Sequence, residues 1–394
     1  MMSPKKSILV LLASFLASQS PLAVLAADQF DFDLYKSLAA LKSNENFLYS
    51  PYSVSSALTM TYTGSKDATK EAMAKVLGLS AKKDSEVKAA AKADIDSLQK
   101  LDNGSTLEIA NALFANKNID FSKEFLSENE KYFYASTNSM DFSAPDAVDK
   151  INGWVKEKTH DKISKILDQV SGDAILYLIN AIYFKGAWQN QFKEEDTKKA
   201  KFHPHEGKDL DVMMMSLSRN SFSYSETPEF QVIHLPYKDN RLGLFVFLPQ
   251  KGKTLGEFEK KLDLASFNKH TELLAGRTGT LKLPRFKIED NMKLKENLSK
   301  LGMEEAFDKN KADFSLMTNE KERVFINDVI HKTYMDVNEV GTEAAAVTAV
   351  EMCMTTARMD PQPAFEMTCD RPFFVALQDM QTKKLLFMGH INKP

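Results

Sequence analysis

The order of helix-like and strand-like segments is the feature that most limits what this chain can fold into. Good helix formers with apolar residues three and four positions apart occupy residues 67–77, 84–101 and 147–167. Apolar runs with strand character follow at residues 175–184, 230–235, 242–248, 279–284, 323–335, 373–377 and 384–390. Because helices come first and strands dominate later, the sequence predicts an α+β fold with large, mostly antiparallel sheets.

The chain also reads as one continuous unit after its first residues. Hydrophobic residues make up 43% of the 394 positions, which is enough apolar material for a sizeable core. Residues 28–394 contain no internal repeat, no low-complexity tract and no Gly/Ser linker. We therefore expect a single domain over this range.

The first 27 residues have a different character. Two lysines precede a short apolar run at residues 8–17, and residues 24–26 have the small-residue pattern of a signal-peptide cleavage site. A retained membrane anchor is the other interpretation, but the apolar run is too short to span a bilayer comfortably. We expect residues 1–27 to be removed, the mature chain to start near Ala27 or Asp28, and the protein to be secreted, either extracellular or periplasmic.

Charge and motifs exclude several classes of function. The net charge of -3 and the lack of a dense Lys/Arg cluster give no reason to expect a nucleic-acid or membrane partner. The chain has no GxSxG, HExxH, GxxxxGK[ST] or CxxC motif. His203 and His205 are two possible metal ligands, which make a weak site, so a solvated loop is the better interpretation. We expect no catalytic residue, metal or cofactor, although a hydrolase with a triad of distant residues stays open.

The most informative segment is residues 339–372. Period two divides part of it into two faces. One face carries Thr342, Ala344, Ala346, Thr348, Val350 and Met352, and the other carries Glu343, Ala345, Val347, Ala349 and Glu351. The first face is uncharged and begins with small residues, whereas both glutamates lie on the second. This alternation is typical of a strand with one buried and one exposed face.

The same segment does not require a strand, because alanine is a weak strand former and a strong helix former. Gly341 precedes it as a hinge, and residues 360–363 (DPQP) follow it as a loop. An ordinary helix or an edge strand remains the other interpretation of this pattern. A segment of this kind could stay exposed and enter a sheet when it is released.

Several motifs resemble those of the serpin family. They are residues 46–69 (NFLYSPYSVSSALTMTYTGSKDAT), 109–114 (IANALF), 151–163, 178–188 (LINAIYFKGAW), 339–348, 365–373 (FEMTCDRPF) and the ending FMGHINKP. They occur in the family's order over more than 300 residues. Two positions depart from the family pattern. Asp161 stands where glycine is usual, and Val340 stands where a charged or polar residue is common.

The resemblance implies a fold and a function. The fold is the serpin fold, with helices packed on three β-sheets, a large central sheet and an exposed reactive-centre loop at about residues 339–363. The function is single-use inhibition of a serine protease, or a cysteine protease, whose attack on the loop releases the hinge to insert into the main sheet. The expected partner is a target protease with a small or apolar specificity pocket, and the protein is expected to be a monomer. A non-inhibitory carrier or chaperone with the same fold is the alternative, and bulky or charged hinge residues would mark it.

The resemblance also assigns roles to individual residues. The hinge comprises Glu339, Gly341, Thr342, Glu343, Ala344, Ala345 and Ala346. The sheet-opening cluster comprises Ser50, Ser53, Asn180 and His331. The loop-entry region comprises Trp188, Arg285 and Glu339. A pair between Arg285 and Glu339 would resist premature opening; a surface ion pair of little energetic weight is the other interpretation.

The reactive bond follows from the family register. The seventeenth residue, counted from Glu339 as the first, is Thr355, so the predicted scissile bond is Thr355–Thr356. Met354 and Arg358 are the rival positions. The two cysteines, Cys353 on the loop and Cys369 beyond it, are predicted to be free thiols, because a bond between them would hold the two cleaved ends together.

Overall fold

The computed structural model describes residues 28–101, 104–319, 324–342 and 363–394. The proposed leader, the hinge beyond Thr342 and the predicted reactive bond lie outside these ranges. The helices are α1 (Gln29–Ala39), α2 (Pro51–Tyr62), α3 (Asp67–Val76), α4 (Asp84–Leu98), α5 (Lys123–Phe133), α6 (Ala147–Lys158), α7 (Leu255–Lys261), α8 (Leu264–Glu272) and α9 (Lys295–Leu298). The strands are β1 (Phe47–Tyr49), β2 (Thr106–Asn116), β3 (Ser136–Met140), β4 (Leu176–Ala187), β5 (Lys198–Phe202), β6 (Leu210–Glu226), β7 (Phe230–Pro236), β8 (Leu242–Pro249), β9 (Ala275–Pro284), β10 (Phe286–Lys293), β11 (Val329–Val337), β12 (Gly341–Thr342), β13 (Phe365–Thr368), β14 (Phe373–Asp379) and β15 (Leu385–Ile391).

Hydrogen bonds join these strands into two sheets, and the α+β class is confirmed. A six-stranded sheet has the order β10-β11-β12-β4-β2-β3. A nine-stranded sheet has the order β1-β15-β14-β8-β7-β6-β9-β13, with β5 on β6. Three sheets are expected, whereas the described strands form two. The larger sheet is continuous because one long strand, β6, joins the strands beside its start to those beside its end. This strand pairs with β5 at its start and with β7 at its end, on either side of a register shift between Arg219 and Phe222.

The six-stranded sheet is covered by a helix on each face. Leu178 of β4 belongs to the main core cluster, which includes Leu58 of α2. Its neighbour Ile179 points to the other face and belongs to a cluster that includes Ile151 of α6. Successive strand side chains point to opposite faces, so even-numbered positions of β4 lie on the same side as α2 and odd-numbered positions on the same side as α6. The near-continuous apolar sequence of β4 follows from this double coverage.

Three sequence predictions of elements differ from the structure. The helix expected over residues 147–167 ends at Lys158, because His160 and Asp161 adopt left-handed backbone conformations with φ of 50° and 64°. The strand expected from residue 323 begins at Val329. The long strand β6 was missed, because its only apolar run, residues 212–215, is short and polar residues interrupt the rest of the strand.

The left-handed backbone at Asp161 explains why glycine is usual there in the family. Glycine adopts positive φ without strain, whereas a Cβ adds about 1 kcal/mol or less for aspartate. We expect Asp161→Gly to raise the free energy of unfolding by about 0.5–1 kcal/mol. Asp161→Ala is the matched control, because it also removes the exposed Lys156–Asp161 ion pair but keeps the Cβ. A glycine variant no more stable than the alanine variant in thermal unfolding would refute this explanation.

Candidate functional site

The first hinge residues already form a short strand within the six-stranded sheet. Gly341 and Thr342 pair antiparallel with Ala187 and Gly186 of β4. On the other side, Thr342 pairs antiparallel with Val337 of β11. β12 therefore lies between β11 and β4 at one end of the sheet.

Beyond β12, β11 and β4 pair directly with each other. Their parallel register joins Val329–Thr333 to Leu178–Ile182 and places His331 opposite Asn180. The same offset relates Val337 and Gly186, the two residues that flank Thr342. The two strands therefore separate laterally around β12 without sliding. Extending β12 further into the sheet would require only that β11 and β4 separate over more of their length.

Gly341 is required by space at this position. An added Cβ would lie 2.0 Å from the carbonyl oxygen of Gly186 and 2.7 Å from Cα of Ala187. Both atoms belong to the backbone of β4 and cannot rotate away. Any larger residue at position 341 would therefore push the hinge out of the sheet.

A buried polar and aromatic set anchors the hinge. The hydroxyls of Thr342 and Tyr237 are 2.7 Å apart, and both residues are fully buried. Tyr237 stacks on Trp188, with ring centroids 4.5 Å apart. The indole Nε1 of Trp188 donates to the carbonyl of Asn338 at 2.9 Å. The loop-entry residue Trp188 thus contacts the chain just before the hinge, and Thr342 is linked to it through Tyr237.

The Arg285–Glu339 pair is formed and is not an ordinary surface pair. Arg285 Nε donates to both carboxylate oxygens at 2.8 Å, while its Nη2 lies 2.7 Å from Oε1. The Glu339 side chain is only 4% exposed, although Arg285 is 42% exposed. The Thr197 hydroxyl donates to the same carboxylate. Burial alone would raise the pKa of Glu339, but these donors outweigh it and hold the pKa below its ordinary value.

The Val340 departure leaves this arrangement intact, because the hinge uses the backbone at that position. The carbonyl of Val340 accepts from the Trp188 amide at 2.9 Å, and the carbonyl of Glu339 accepts from Phe192 at 3.0 Å. The Val340 amide binds the side-chain oxygen of Asn338 at 3.0 Å. None of these contacts needs a polar side chain at residue 340.

We expect Arg285→Ala to accelerate spontaneous insertion of the uncleaved hinge segment into the six-stranded sheet. The substitution removes the charged donor of the buried Glu339 carboxylate and leaves the Thr197 hydroxyl and a backbone amide, at a cost of about 1–3 kcal/mol. The rate of this conversion in stored, uncleaved protein should rise by roughly 5- to 150-fold, since about 1.4 kcal/mol is a factor of ten. Lys201→Ala, which removes the exposed pair with Asp211, is the control. Equal rates in both variants would contradict a latch at this site.

The four residues predicted to form the sheet-opening cluster also come together. The Ser50 amide donates to Nε2 of His331 at 2.9 Å. The Ser50 hydroxyl caps α2 by accepting from the Ser53 amide at 3.2 Å. Asn180 lies opposite His331 in the sheet and donates to Oδ1 of Asn111 at 2.6 Å. Ser50, Ser53, Asn180 and His331 therefore form one buried cluster between α2 and the direct β11–β4 pairing.

This cluster is incompletely satisfied in the described residues. Ser53 Oγ, Asn180 Oδ1 and His331 Nδ1 are buried and have no hydrogen-bond partner among them. Burial lowers the pKa of His331 to about 3, which keeps the imidazole neutral. Each buried polar atom without a partner costs about 1–3 kcal/mol. The resting sheet thus holds unsatisfied groups where it would have to open.

Sequence reasoning missed four residues that support the site. Tyr237, Thr197, Asn338 and Asn111 each contact a predicted site residue. Tyr237 and Thr197 lie far from the hinge in sequence, so only the fold brings them there. Asn111 lies within the motif at residues 109–114, but the motif alone does not show its contact with Asn180.

The structure allows only part of the cysteine and histidine predictions to be compared with it. Cys369 is a free, fully buried thiol whose pKa is raised by burial, and Cys353 lies outside the described residues. His203 binds Asp209 at 2.8 Å and both are exposed. Within the described ranges, no three His, Cys, Asp or Glu side chains are close enough to hold a metal ion. No helix there has the length and apolar character needed to cross a bilayer.

Comparison with known proteins assigns the family. The family model described as Serpin (serine protease inhibitor) matches residues 25–394. Human serpin B8 is 35% identical to this chain, over 93% of it and 97% of the human protein. This chain is a serpin. The leukocyte elastase inhibitor of Xenopus tropicalis is a further serpin relative, 34% identical over 94% of this chain and 98% of its own length.

Solved structures confirm the serpin fold. The native state of the thermophilic serpin tengpin has a TM-score of 0.84 at 30% identity and covers 95% of this chain and 94% of its own. Human thyroxine-binding globulin, solved in complex with thyroxine, has a TM-score of 0.85 at 26% identity, covering 94% and 98%. Serpins are in general protease inhibitors rather than enzymes, and relatives of this chain are named as such. The globulin has the same fold and binds a small molecule.

Proposed function

We propose that this serpin is a secreted, single-use inhibitor that traps a serine protease by inserting its cleaved loop into the six-stranded sheet. The observation that carries the proposal is the position of β12. Gly341 and Thr342 of the hinge already lie between β11 and β4, in a register that can continue. The residues that would follow on the core-facing side, Ala344 and Ala346, are small and uncharged.

The chemical step uses the loop as a substrate. The protease nucleophile attacks the carbonyl of Thr355 and the bond to Thr356 breaks. The segment after the break gains a free amino group and stays bound through β13, β14 and β15 of the nine-stranded sheet, while residues up to Thr355 stay esterified to the protease. The released hinge then inserts. Thr342 to Thr355, at about 3.3 Å a residue, would carry the acyl link roughly 45 Å. Deacylation stalls because a misplacement of about 1 Å can cost 100-fold or more.

The β12 register predicts which residue meets the opening cluster. Six residues beyond Thr342, Thr348 would lie opposite Asn180 on β4 and His331 on β11. Thr348 shares the core-facing side with Thr342, and that is the face on which the cluster lies. Its hydroxyl would then reach polar atoms that now lack partners. Satisfying them favours the inserted state over the resting one.

A packed layer on the α6 side of the six-stranded sheet slows premature separation of β4 from β11. Ala181 of β4 and Ile330 and Tyr334 of β11 share a buried cluster with Ile151 and Val155 of α6. Separating β4 from β11 would disturb this cluster before new strand contacts form. The resting state is therefore expected to persist because the barrier is high, not because it has the lowest free energy.

A carrier function is the second candidate, since thyroxine-binding globulin has the same fold. Small hinge residues favour the inhibitor, because bulky or charged residues there would oppose insertion. Incubation with a panel of serine and cysteine proteases, followed by denaturing gels, separates the two. A conjugate stable to denaturation supports the trap. Simple nicking by every protease would refute it and favour the carrier.

The reactive bond is predicted to be Thr355–Thr356. A small β-branched residue suits a shallow apolar pocket of the elastase type, whereas Arg358 would direct the loop to trypsin-like enzymes. We expect the C-terminal peptide that separates from the conjugate on denaturation to begin at Thr356, as judged by its mass. A peptide beginning at Thr355 would assign Met354, and one beginning at Met359 would assign Arg358. As a matched variant, Thr355→Arg should transfer conjugate formation to a trypsin-like protease.

Secretion is part of the same proposal. The leader pattern over residues 1–27 supports it. Recovery of the protein outside the cytosol with a new amino terminus near Ala27 or Asp28 is the expected result. An uncut amino terminus in the exported protein would contradict this part alone.

A further inference from the structure

A buried charged cavity lies at the start of α1, next to α2. Its lining includes Asp28, Asp31, Asp94 and Lys384. Asp31, Asp94 and Lys384 are 6%, 3% and 3% exposed. Lys384 Nζ donates to Oδ2 of Asp94 at 2.7 Å, and the half-buried Lys82 is the other cation that acts on Asp28 and Asp94. Three carboxylates thus share one buried ammonium.

Two carboxylate oxygens of this cavity lack donors. Oδ1 of Asp94 and Oδ1 of Asp28 are buried, with no hydrogen-bond partner in the described part of the chain. Burial raises the pKa of Asp28, Asp31 and Asp94, as expected where negative charge is poorly compensated. The described side chains are not grouped to hold a metal ion. An organic ammonium is the cation that fits.

The backbone nitrogen of Asp28 is already in place for this role. It lies 3.3 Å from Oδ2 of Asp31 and donates to it. In the uncut chain this nitrogen is an amide with one proton. In a chain that begins at Asp28 it is an α-amino group, which carries three protons and a positive charge near neutral pH.

We propose that removal of residues 1–27 creates the missing cation: the α-ammonium of Asp28 binds among these carboxylates and stabilises the native fold. Hydrolysis adds water across the Ala27–Asp28 bond, leaving a carboxylate on Ala27 and an ammonium on Asp28. The inference rests on the proposed leader and not on protease trapping. The precursor lacks the pair and is the less stable form until the leader is gone.

Two other effects would give a different change in stability when the α-amino group is blocked. Asp28 is the N-cap of α1, and a positive charge at a helix amino terminus opposes the helix dipole. With that effect alone, blocking the α-amino group would stabilise the protein. Asp31 could also hold a proton in place of an ammonium partner, and blocking would then change little. The proposal predicts instead that blocking the α-amino group lowers the melting temperature.

The test compares three proteins: the full chain, a chain beginning at Asp28 with a free amino group, and the same chain N-acetylated. We expect the free form to melt at least about 2 °C above the acetylated form, and above the full chain. In Asp94→Asn the difference between free and acetylated forms should shrink by half or more. In the control Asp168→Asn, an exposed carboxylate paired with Lys165, it should stay unchanged.

An acetylated protein that melts at the same temperature or higher overturns the proposal. So does an exported protein whose amino terminus, by sequencing, is any residue other than Asp28. If Asp94→Asn does not fold, the comparison of free and acetylated wild type decides alone. Conjugate formation with a protease, measured on the same samples, reports on the trapping function separately.

Discussion

Cleavage of the loop between Met352 and Arg358 is expected to raise the apparent melting temperature by about 20 °C or more. Nicking usually loosens a protein, but here it releases a strand into a sheet that is already parted at β12. A dozen or so new backbone hydrogen bonds at about 1 kcal/mol net each supply on the order of 10 kcal/mol. At roughly 2 °C for each kcal/mol, this gives the expected shift. Thermal unfolding before and after limited proteolysis measures it.

The control for this prediction is the same cleavage in a chain whose hinge is blocked. A chain carrying Thr342→Arg should be nicked equally well and show a much smaller rise. An unchanged or lower melting temperature after cleavage of the wild type would assign the protein to the non-inserting serpins. It would leave the family assignment untouched.

Thr342→Arg is expected to convert the inhibitor into a substrate. Thr342 is fully buried and its hydroxyl meets that of Tyr237, so an arginine there must bury a charge or leave the sheet. Burying an unpaired charge costs several kcal/mol. Insertion then slows, and hydrolysis of the acyl-enzyme overtakes it. We expect the fraction of protease captured as conjugate to fall at least about tenfold, the equivalent of about 1.4 kcal/mol.

The structure adds one consequence to this prediction. Because Thr342 occupies its slot before cleavage, the arginine also displaces β12 in the resting protein. Glu343→Arg is the matched control, since it adds the same side chain one residue later, where the alternation directs it to the opposite face. Conjugate yields that fall equally in both variants would show that charge in the hinge matters but burial of Thr342 does not.

The sequence predicted the parts of the fold that depend on local pattern. The helix expected at residues 67–77 is α3, and the apolar run at 242–248 is β8, because periodicity and apolar content are local properties. The strand β6 escaped prediction for the opposite reason. Polar residues alternate along its second half, and it has one register shift. Both features are explained by its pairing with β5, β7 and β9, which the local sequence does not reveal.

The candidate site was predictable only through the resemblance to serpins. Glu339 and Arg285 lie far apart in sequence, and no pattern predicts that a half-exposed arginine holds a buried carboxylate. The pairing of Gly341 and Thr342 could not be read from a segment that suits helix and strand alike. Tyr237 supplies the contact that buries the Thr342 hydroxyl, and nothing in its neighbourhood marks it.

The central claim is that the loop becomes a strand between β4 and β11. A crystal structure of the protein after cleavage at the loop tests it most directly. The account predicts that residues after Thr342 continue β12 and that Thr348 lies between Asn180 and His331. Direct pairing of Val329–Thr333 with Leu178–Ile182, retained as in the uncleaved chain, would contradict it.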